Sequence, residues 1–381
     1  MRTRRVAGLA AAGLLLFVLL PGGGPGTGWS GPADRIDDAA FWRLFSELSE
    51  PGGEFRSDNL VSNERSYPSV LPAIARRASG ASAYVGVGPE QNFSYLAALR
   101  PRIAFIVDIR RQNAILHLLY KALFELSPNR AEFLSRLFSR PRPRHVGSQS
   151  GVRELFEAYA VVPPSADLFA ENVGQVRSQL TERHHFALGP EDLDALGRVY
   201  SAFFEAGPDL SYSARAFRRG RPFPTYAELM TATDDAGIPR SFLASEEGYL
   251  ALRELQRRNL VIPVVGDFAG SKALKGVAAC LNARGLTVAA FYTSNVEFYL
   301  FRSDAWRSFY GNLAALPVNR RSVLVRSIFR GFGRGYPGAG LAGRLQLDPI
   351  EDLVGAFRRG EITGYADLLA RSKDEDGPFL R

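Results

Sequence analysis

Apolar positions recur along the chain with two different periods, and the places where the period changes predict the elements. Short unbroken apolar runs of strand type occur from Ala83, at Ile103 to Val107, at Leu260 to Val265, at Thr287 to Tyr292 and at Ser322 to Phe329. Helix-period segments separate them: Phe93 to Leu99, Gln112 to Leu126 and Lys272 to Ala283, the last with Ser271 placed to cap it and Gly285 placed to close it. Between the second and third runs the period stays helical. Segments 152–160, 166–181, 190–204, 225–233 and 246–257 all carry apolar faces at 3.6-residue spacing. Runs of strand type alternating with helices predict an α/β fold. The expected architecture is a Rossmann-like open, mostly parallel sheet over 83–335, with a large helical insertion at about 128–258 between the second and third strands.

The flanks read differently. A helix at Asp38 to Leu48 is stopped by Pro51-Gly52-Gly53, and a second is expected from Tyr67 to Ala78. Asn63 and Glu64, just before that second helix, read either as helix capping or as part of a lid, spanning 31–82, over the glycine turn that follows. After the Gly-rich stretch 331–343, amphipathic segments Ile350 to Arg358 and Tyr365 to Arg371 make 336–381 a helical extension. At the other end, Arg2, Arg4 and Arg5 precede the apolar run Val6 to Leu20 and a Pro/Gly spacer. That pattern marks 1–30 as a signal peptide or membrane anchor, partly of twin-arginine type, and places the body of the protein outside the cytoplasm. Membrane contact is expected through residues 6–20. A misassigned start would leave the chain cytoplasmic.

Composition narrows the chemistry. The formal charge is +8, carried almost wholly by arginine. Arginines are scattered without interleaved stacking aromatics, so nucleic acid is not the expected partner. Cys280 is the only cysteine, which excludes intramolecular disulfides and cysteine-based zinc sites. His184-His185 is half a metal site that nothing in the sequence completes, and no metal is expected. His117, among leucines, reads as a core-edge histidine. Arg140-Pro-Arg-Pro-Arg144 and Arg218-Arg219-Gly-Arg221 read as solvated basic connectors.

Chemistry concentrates at the ends of the strand-type runs. The first breaks into Gly86-Val-Gly88, the second ends on Asp108, the third on Gly266-Asp267-Phe268, and the fourth runs into Tyr292-Thr-Ser-Asn-Val-Glu297. Strand, glycine turn, helix, strand and acid form the pattern of a nucleotide-binding βαβ unit. Gln91 stands where the dinucleotide fingerprint has its third glycine, which disfavours NAD. The whole pattern resembles class I S-adenosylmethionine-dependent methyltransferases, over about 83–112 and 258–330. By that resemblance S-adenosylmethionine is the cofactor, with Gly86, Gly88, Glu90 and Asn92 lining the glycine turn around its amino-acid part. Asp108 would take the ribose hydroxyls, Asp267 the adenine amino group, and Phe268 the face of the ring. Tyr292, Asn295 and Glu297 would face the methyl acceptor, with Glu297 the candidate base. The chain departs from the family at Tyr84, where an acid is usual, at Glu90, where a third glycine is common, and at Asn295, which no Pro-Pro-Tyr follows. The chain is also similar to a group of leader-bearing bacterial proteins of uncharacterised function that share Gly-Val-Gly-Pro-Glu-Gln-Asn-Phe-Ser-Tyr and Ser-Asn-Val-Glu. Export separates a protein from cytosolic S-adenosylmethionine. Two readings therefore stand, both with a small-molecule ligand: a methyltransferase-like enzyme transferring a methyl group to an unspecified acceptor, and a non-catalytic exported or membrane-anchored ligand-binding or scaffold protein that keeps the fold.

Overall fold

A computed structural model describes residues 35–55, 57–77, 82–212, 223–328 and 344–371. The apolar run 6–20, the basic stretch 218–221 and the loop 331–343 lie outside the described residues. No helix among the described residues is long and apolar enough to cross a membrane.

The protein is α/β, built on one six-stranded sheet of order β3-β2-β1-β4-β5-β6. The strands are β1 (Ser82–Gly86), β2 (Ile103–Asp108), β3 (Val261–Val265), β4 (Thr287–Ser294), β5 (Val323–Ile328) and β6 (Arg344–Pro349). Strands β1 to β5 are parallel and β6 runs antiparallel beside β5. All residues of β1, β2 and β3 are buried, as strands covered on both faces must be, which is why they read as continuous apolar runs rather than alternations. The strand order reverses between β1 and β4. This gap at the C-terminal edge is the topological switch point where open α/β sheets bind ligands.

Helix α1 (Asp38–Leu48) is capped by the Asp37 carboxylate, which accepts from the Ala40 N–H, and packs beside β3. Helix α2 (Tyr67–Ala75) precedes β1, and α3 (Gln91–Leu99) links β1 to β2. The insertion between β2 and β3 comprises α4 (Arg111–Leu126), α5 (Arg130–Phe138), α6 (Val152–Ala160), α7 (Ala166–Ser178), α8 (Pro190–Ala206), the short α9 (Tyr226–Met230) and α10 (Glu246–Arg257). A cluster of aromatic rings binds this block to the sheet layer. Phe93 of α3 stands edge-on to His117, Tyr120, Phe124 and Phe242, with centroids 5.0–5.5 Å apart. Beyond β3 come α11 (Ala273–Asn282), α12 (Val296–Arg302) and α13 (Trp306–Leu313), and after β6, α14 (Ile350–Arg358) and α15 (Tyr365–Arg371).

Three expectations are corrected: the helical C-terminal segment, the Ser271 cap and the solvated Arg140. The segment after 336 is not wholly helical, because β6 lies in it and joins the sheet edge. Ser271 does not cap α11; Lys272 holds the cap position and no side chain fills the role. Arg140 is not solvated: it is buried and donates to the Tyr159 carbonyl at 2.6 Å. His184 stands between two carboxylates, 2.6 Å from Glu125 and 2.9 Å from Asp38. It belongs to a buried ion network with Lys121, and no metal-binding group occurs among the described residues. His117 is buried, its Nε2 2.8 Å from the Gly88 carbonyl, so that nitrogen carries the proton.

Candidate functional site

Residues 50–55 and 57–66 form a strap across the C-terminal tips of four strands in turn. Glu50 N–H donates to the Val265 carbonyl at the end of β3, and its carboxylate accepts from the Asp267 N–H. Gly53 N–H reaches the Ile109 carbonyl just past β2. The Ser57 and Asp58 carbonyls accept from the Arg110 guanidinium, Ser62 N–H donates to the Glu90 carboxylate below β1, and Glu64 reaches the tip of β4.

Between strap and strand tips lies a cleft of about 260 Å³, just under the roughly 300–1,000 Å³ usual for small-molecule sites. Gly88, Asp108, Asp267, Phe268, Tyr292 and Asn295 line it, so six of the ten expected site residues meet there. A larger open groove of about 590 Å³ lies between α7 and α8, away from the strand tips.

The turn after β1 is built by Asn92. Its Nδ2 donates to the carbonyls of Val87, Gly88 and Pro89 at 2.7–3.1 Å, while its Oδ1 accepts from Tyr84 Oη at 2.8 Å. Gly86 serves this staple. A Cβ there would sit 2.0 Å from Asn92 Oδ1 and 2.7 Å from the Tyr84 ring. Gly88 takes φ +77° with open space where a side chain would be, as a turn bordering a ligand cavity requires. Gly86, Glu90 and Asn92 therefore shape the turn from beneath and do not reach the cleft. Tyr84, where an acid is usual, is part of the same staple.

Asp108 is at the cleft but already engaged. Its two oxygens take Arg110 Nε at 3.0 Å and Nη2 at 2.9 Å, and Oδ1 also takes the Arg110 N–H. Asp267 closes its own turn through Oδ1, accepting from Ala269 N–H at 2.9 Å. Phe268 stacks on Phe309 and meets Phe291 edge-on, so the cleft sees only part of the ring.

At the tip of β4 the three expected acceptor-side residues separate. Asn295 holds the cap position of α12 yet makes no capping bond, and its amide borders the cleft. Tyr292 donates to Glu64 Oε2 at 2.8 Å. Glu297 turns away from the cleft, accepting from Tyr310 Oη at 2.7 Å and pairing with Arg326, which also holds Asp348 at 2.7 Å. A base for the cleft is not available in Glu297, because its carboxylate balances a buried guanidinium.

From its position in the chain Glu64 reads only as a cap or lid residue. Its side chain caps nothing. It accepts from Ser294 Oγ, Tyr292 Oη and Gln91 Nε2 at 2.7–2.8 Å, all neutral donors, and burial pushes its pKa up. Glu90, equally buried and held by Ser62 N–H, is pushed up to about 7 by the same burial. Also unforeseen are Phe55, Asn59, Tyr212 and Tyr299 in the lining. Backbone strain marks two lining positions. Of the non-glycine residues with positive φ, Arg100, Ser139, His185, Asn259 and Asp304 terminate helices. The other two, Asn59 (φ 45°) and Ser294 (φ 50°), both line the cleft. Strained φ values away from helix ends gather at functional sites.

The matches to known families do not reach the chemistry. No curated protein matches the chain. The family described as Domain of unknown function (DUF7790) matches residues 59–148 and 171–345. These stretches contain β1 to β5 and every lining residue of the cleft except Glu54 and Phe55. The chain belongs to that family.

Proposed function

We propose that the cleft at the β1/β4 switch point binds S-adenosylmethionine and that the protein is a methyltransferase-like enzyme acting on a small molecule. The observation that carries the reading is the charge of the lining. Among its described residues, Glu54, Asp108 and Asp267 are acids and Arg110 is the one base, so three negatives against one positive leave −2, in a chain of net +8. Arg110 is itself spent on Asp108 and two strap carbonyls. Such a lining disfavours the phosphates of NAD or ATP and favours a ligand with a cationic centre. The antiparallel β6 also departs from the fully parallel dinucleotide-binding sheet.

The residues present fit that group. Asp267 keeps Oδ2 for an amino group, Phe268 offers a ring edge, and Gly88 lets the backbone come close. Asn59 places its amide in the lining beside the Tyr212 hydroxyl. Asp108 would take ribose hydroxyls through its remaining lone pair or by exchanging Arg110. When bound, S-adenosylmethionine supplies an electrophilic methyl group. The chain's part is to position the acceptor through Asn295 and Tyr292 and to exclude water with the strap. Glu297 is withdrawn and Glu64 is fully hydrogen-bonded, so neither serves as the base, and an acceptor that needs no base fits the reading.

A second reading, a binding protein without turnover, is favoured by the Asp108–Arg110 pair, which fills the acceptor sites a ribose would use. Calorimetric titration with S-adenosylmethionine and S-adenosylhomocysteine tests both. Low-micromolar binding, lost in Asp267→Ala, is expected; Asp108→Ala is less informative because it also frees Arg110 from its carboxylate. A folded sample that binds neither compound would sink the proposal. Binding with no consumption of S-adenosylmethionine in the presence of candidate amines would select the second reading.

A further inference from the structure

The cleft has two unlike halves. The inner half, at the tips of β1, β2 and β3, holds Gly88, Asp108, Asp267 and Phe268. The outer half, beyond the tip of β4, is lined by Phe55, Tyr212, Val296, Tyr299 and Leu300, with Glu54 at its rim. Its three aromatic side chains come from three separate parts of the chain: the strap, the insertion and α12. Phe55 and Tyr299 meet at 83° with centroids 5.3 Å apart, which makes a corner rather than a flat wall. The Tyr212 hydroxyl lies within electrostatic reach of Tyr299, and burial pushes its pKa up to about 12. Phe55, Tyr212 and Tyr299 are all only half-buried and Glu54 is exposed, so the rings present surface to whatever enters.

A half-buried corner of aromatic rings is costly to leave wet, yet a purely apolar ligand does not account for the acid at its rim. Ring faces carry negative charge density and attract cations, most strongly those too weakly hydrated to prefer water. Among the described residues of the lining, Arg110 is the sole cation. It lies within electrostatic reach of the Tyr212 hydroxyl, and its charge is balanced by Asp108.

We propose that the outer half recognises an organic cation, an alkylated ammonium group, seated against Phe55, Tyr212 and Tyr299 with Glu54 at the entrance. That this ammonium is the methylated product rests on the reading of the inner half as a sulfonium-cofactor site; the recognition itself does not. The acceptor is then a tertiary amine that has given its proton to bulk water before it binds. Its lone pair forms the new carbon–nitrogen bond as the carbon–sulfur bond breaks, and the positive charge passes from sulfur to nitrogen.

The test compares choline with its uncharged isostere 3,3-dimethylbutan-1-ol, by calorimetry on the full chain, with S-adenosylhomocysteine titrated separately. Choline should bind saturably and about tenfold more tightly than the isostere, the size of one cation–π contact. Tyr299→Leu and Phe55→Leu, each keeping an apolar side chain, should each weaken choline several-fold and leave the isostere nearly unchanged. Equal affinity for both compounds would overturn the inference in favour of a plain apolar pocket, and so would absence of choline binding by a protein with an unchanged melting temperature. Failure of choline where S-adenosylhomocysteine binds would remove the ammonium site alone. Failure of S-adenosylhomocysteine where choline binds would remove the cofactor reading alone.

Discussion

Glu64 and Glu297 are both buried at the β4 end of the sheet, and they are held in opposite ways. Glu297 lies on the β5 side, paired with Arg326, which a second carboxylate, Asp348, also meets. Those two carboxylates and the neighbouring Tyr310 raise the Arg326 pKa further, although burial alone would lower it. Glu64 lies on the β1 side, and burial raises its pKa; it faces hydroxyl and amide donors, with no cation among the described residues within hydrogen-bond reach. Glu90, next in chain to the Gln91 that donates to Glu64, repeats the second arrangement. A buried acid with a cation is a charged structural element, and a buried acid without one is held near neutrality. The contrast explains why the more obvious glutamate, next to the expected acceptor motif, is the structural one.

The comparison can be broken most severely at its charged side. Arg326→Met should leave Glu297 and Asp348 buried without their cation and destabilise the fold by about 3–5 kcal/mol, read as a drop in urea midpoint. A loss under about 1 kcal/mol would mean that the cluster is not charged as described.

The uncharged side has a pH signature. A carboxyl whose folded-state pKa lies above its unfolded value binds its proton more tightly when folded. The stability this gives is complete below the unfolded pKa and is lost as pH rises through the folded one. For Glu90 the window runs from 4.5 to about 7, worth on the order of 3 kcal/mol at about 1.4 kcal/mol per unit. Urea unfolding of the wild type and Glu90→Gln, at both ends of that window, should show the wild type losing stability relative to the variant as pH rises. Parallel pH profiles would refute the assignment.

The gentlest test is Glu64→Gln at neutral pH. If the Glu64 carboxyl is held protonated, the amide can replace it with one donor turned toward Ser294, and the change in stability should stay within about 1 kcal/mol. A larger loss would show that Glu64 carries charge and that the two glutamates are more alike than their partners suggest.

These differences were only partly legible in the sequence. Buried strands announced themselves because sheets covered on both faces need unbroken apolar runs, and Ile103 to Val107 or Leu260 to Val265 could be nothing polar. Asp108, Asp267 and Asn295 were findable because strand tips at a switch point are where ligands bind. Strand β6 was missed: Leu345-Gln-Leu347-Asp is a short alternation after a glycine-rich stretch, and its antiparallel pairing with β5 is set by the sheet. Helix α5 was overlooked although Asn129 accepts from the Glu132 N–H in an ordinary cap. The roles of Glu64, Glu90 and Arg110 were out of reach, because each depends on a partner brought in by the strap from 28 to 230 positions away.

That strap sets the order in which the molecule can be completed. Glu50 meets Asp267 across 217 positions of chain, Ser49 meets Val265 across 216, and Ser294 meets Glu64 across 230. The strap emerges from the ribosome well before β3 and β4, and contacts of such separation carry the largest loop-closure entropy and the slowest formation. The helical insertion is synthesised in the interval and can pack within itself while the strap waits. The cleft thus cannot close until β4 has been made, and a nascent chain ending before residue 294 carries the strap without the strand tip that Glu64 meets.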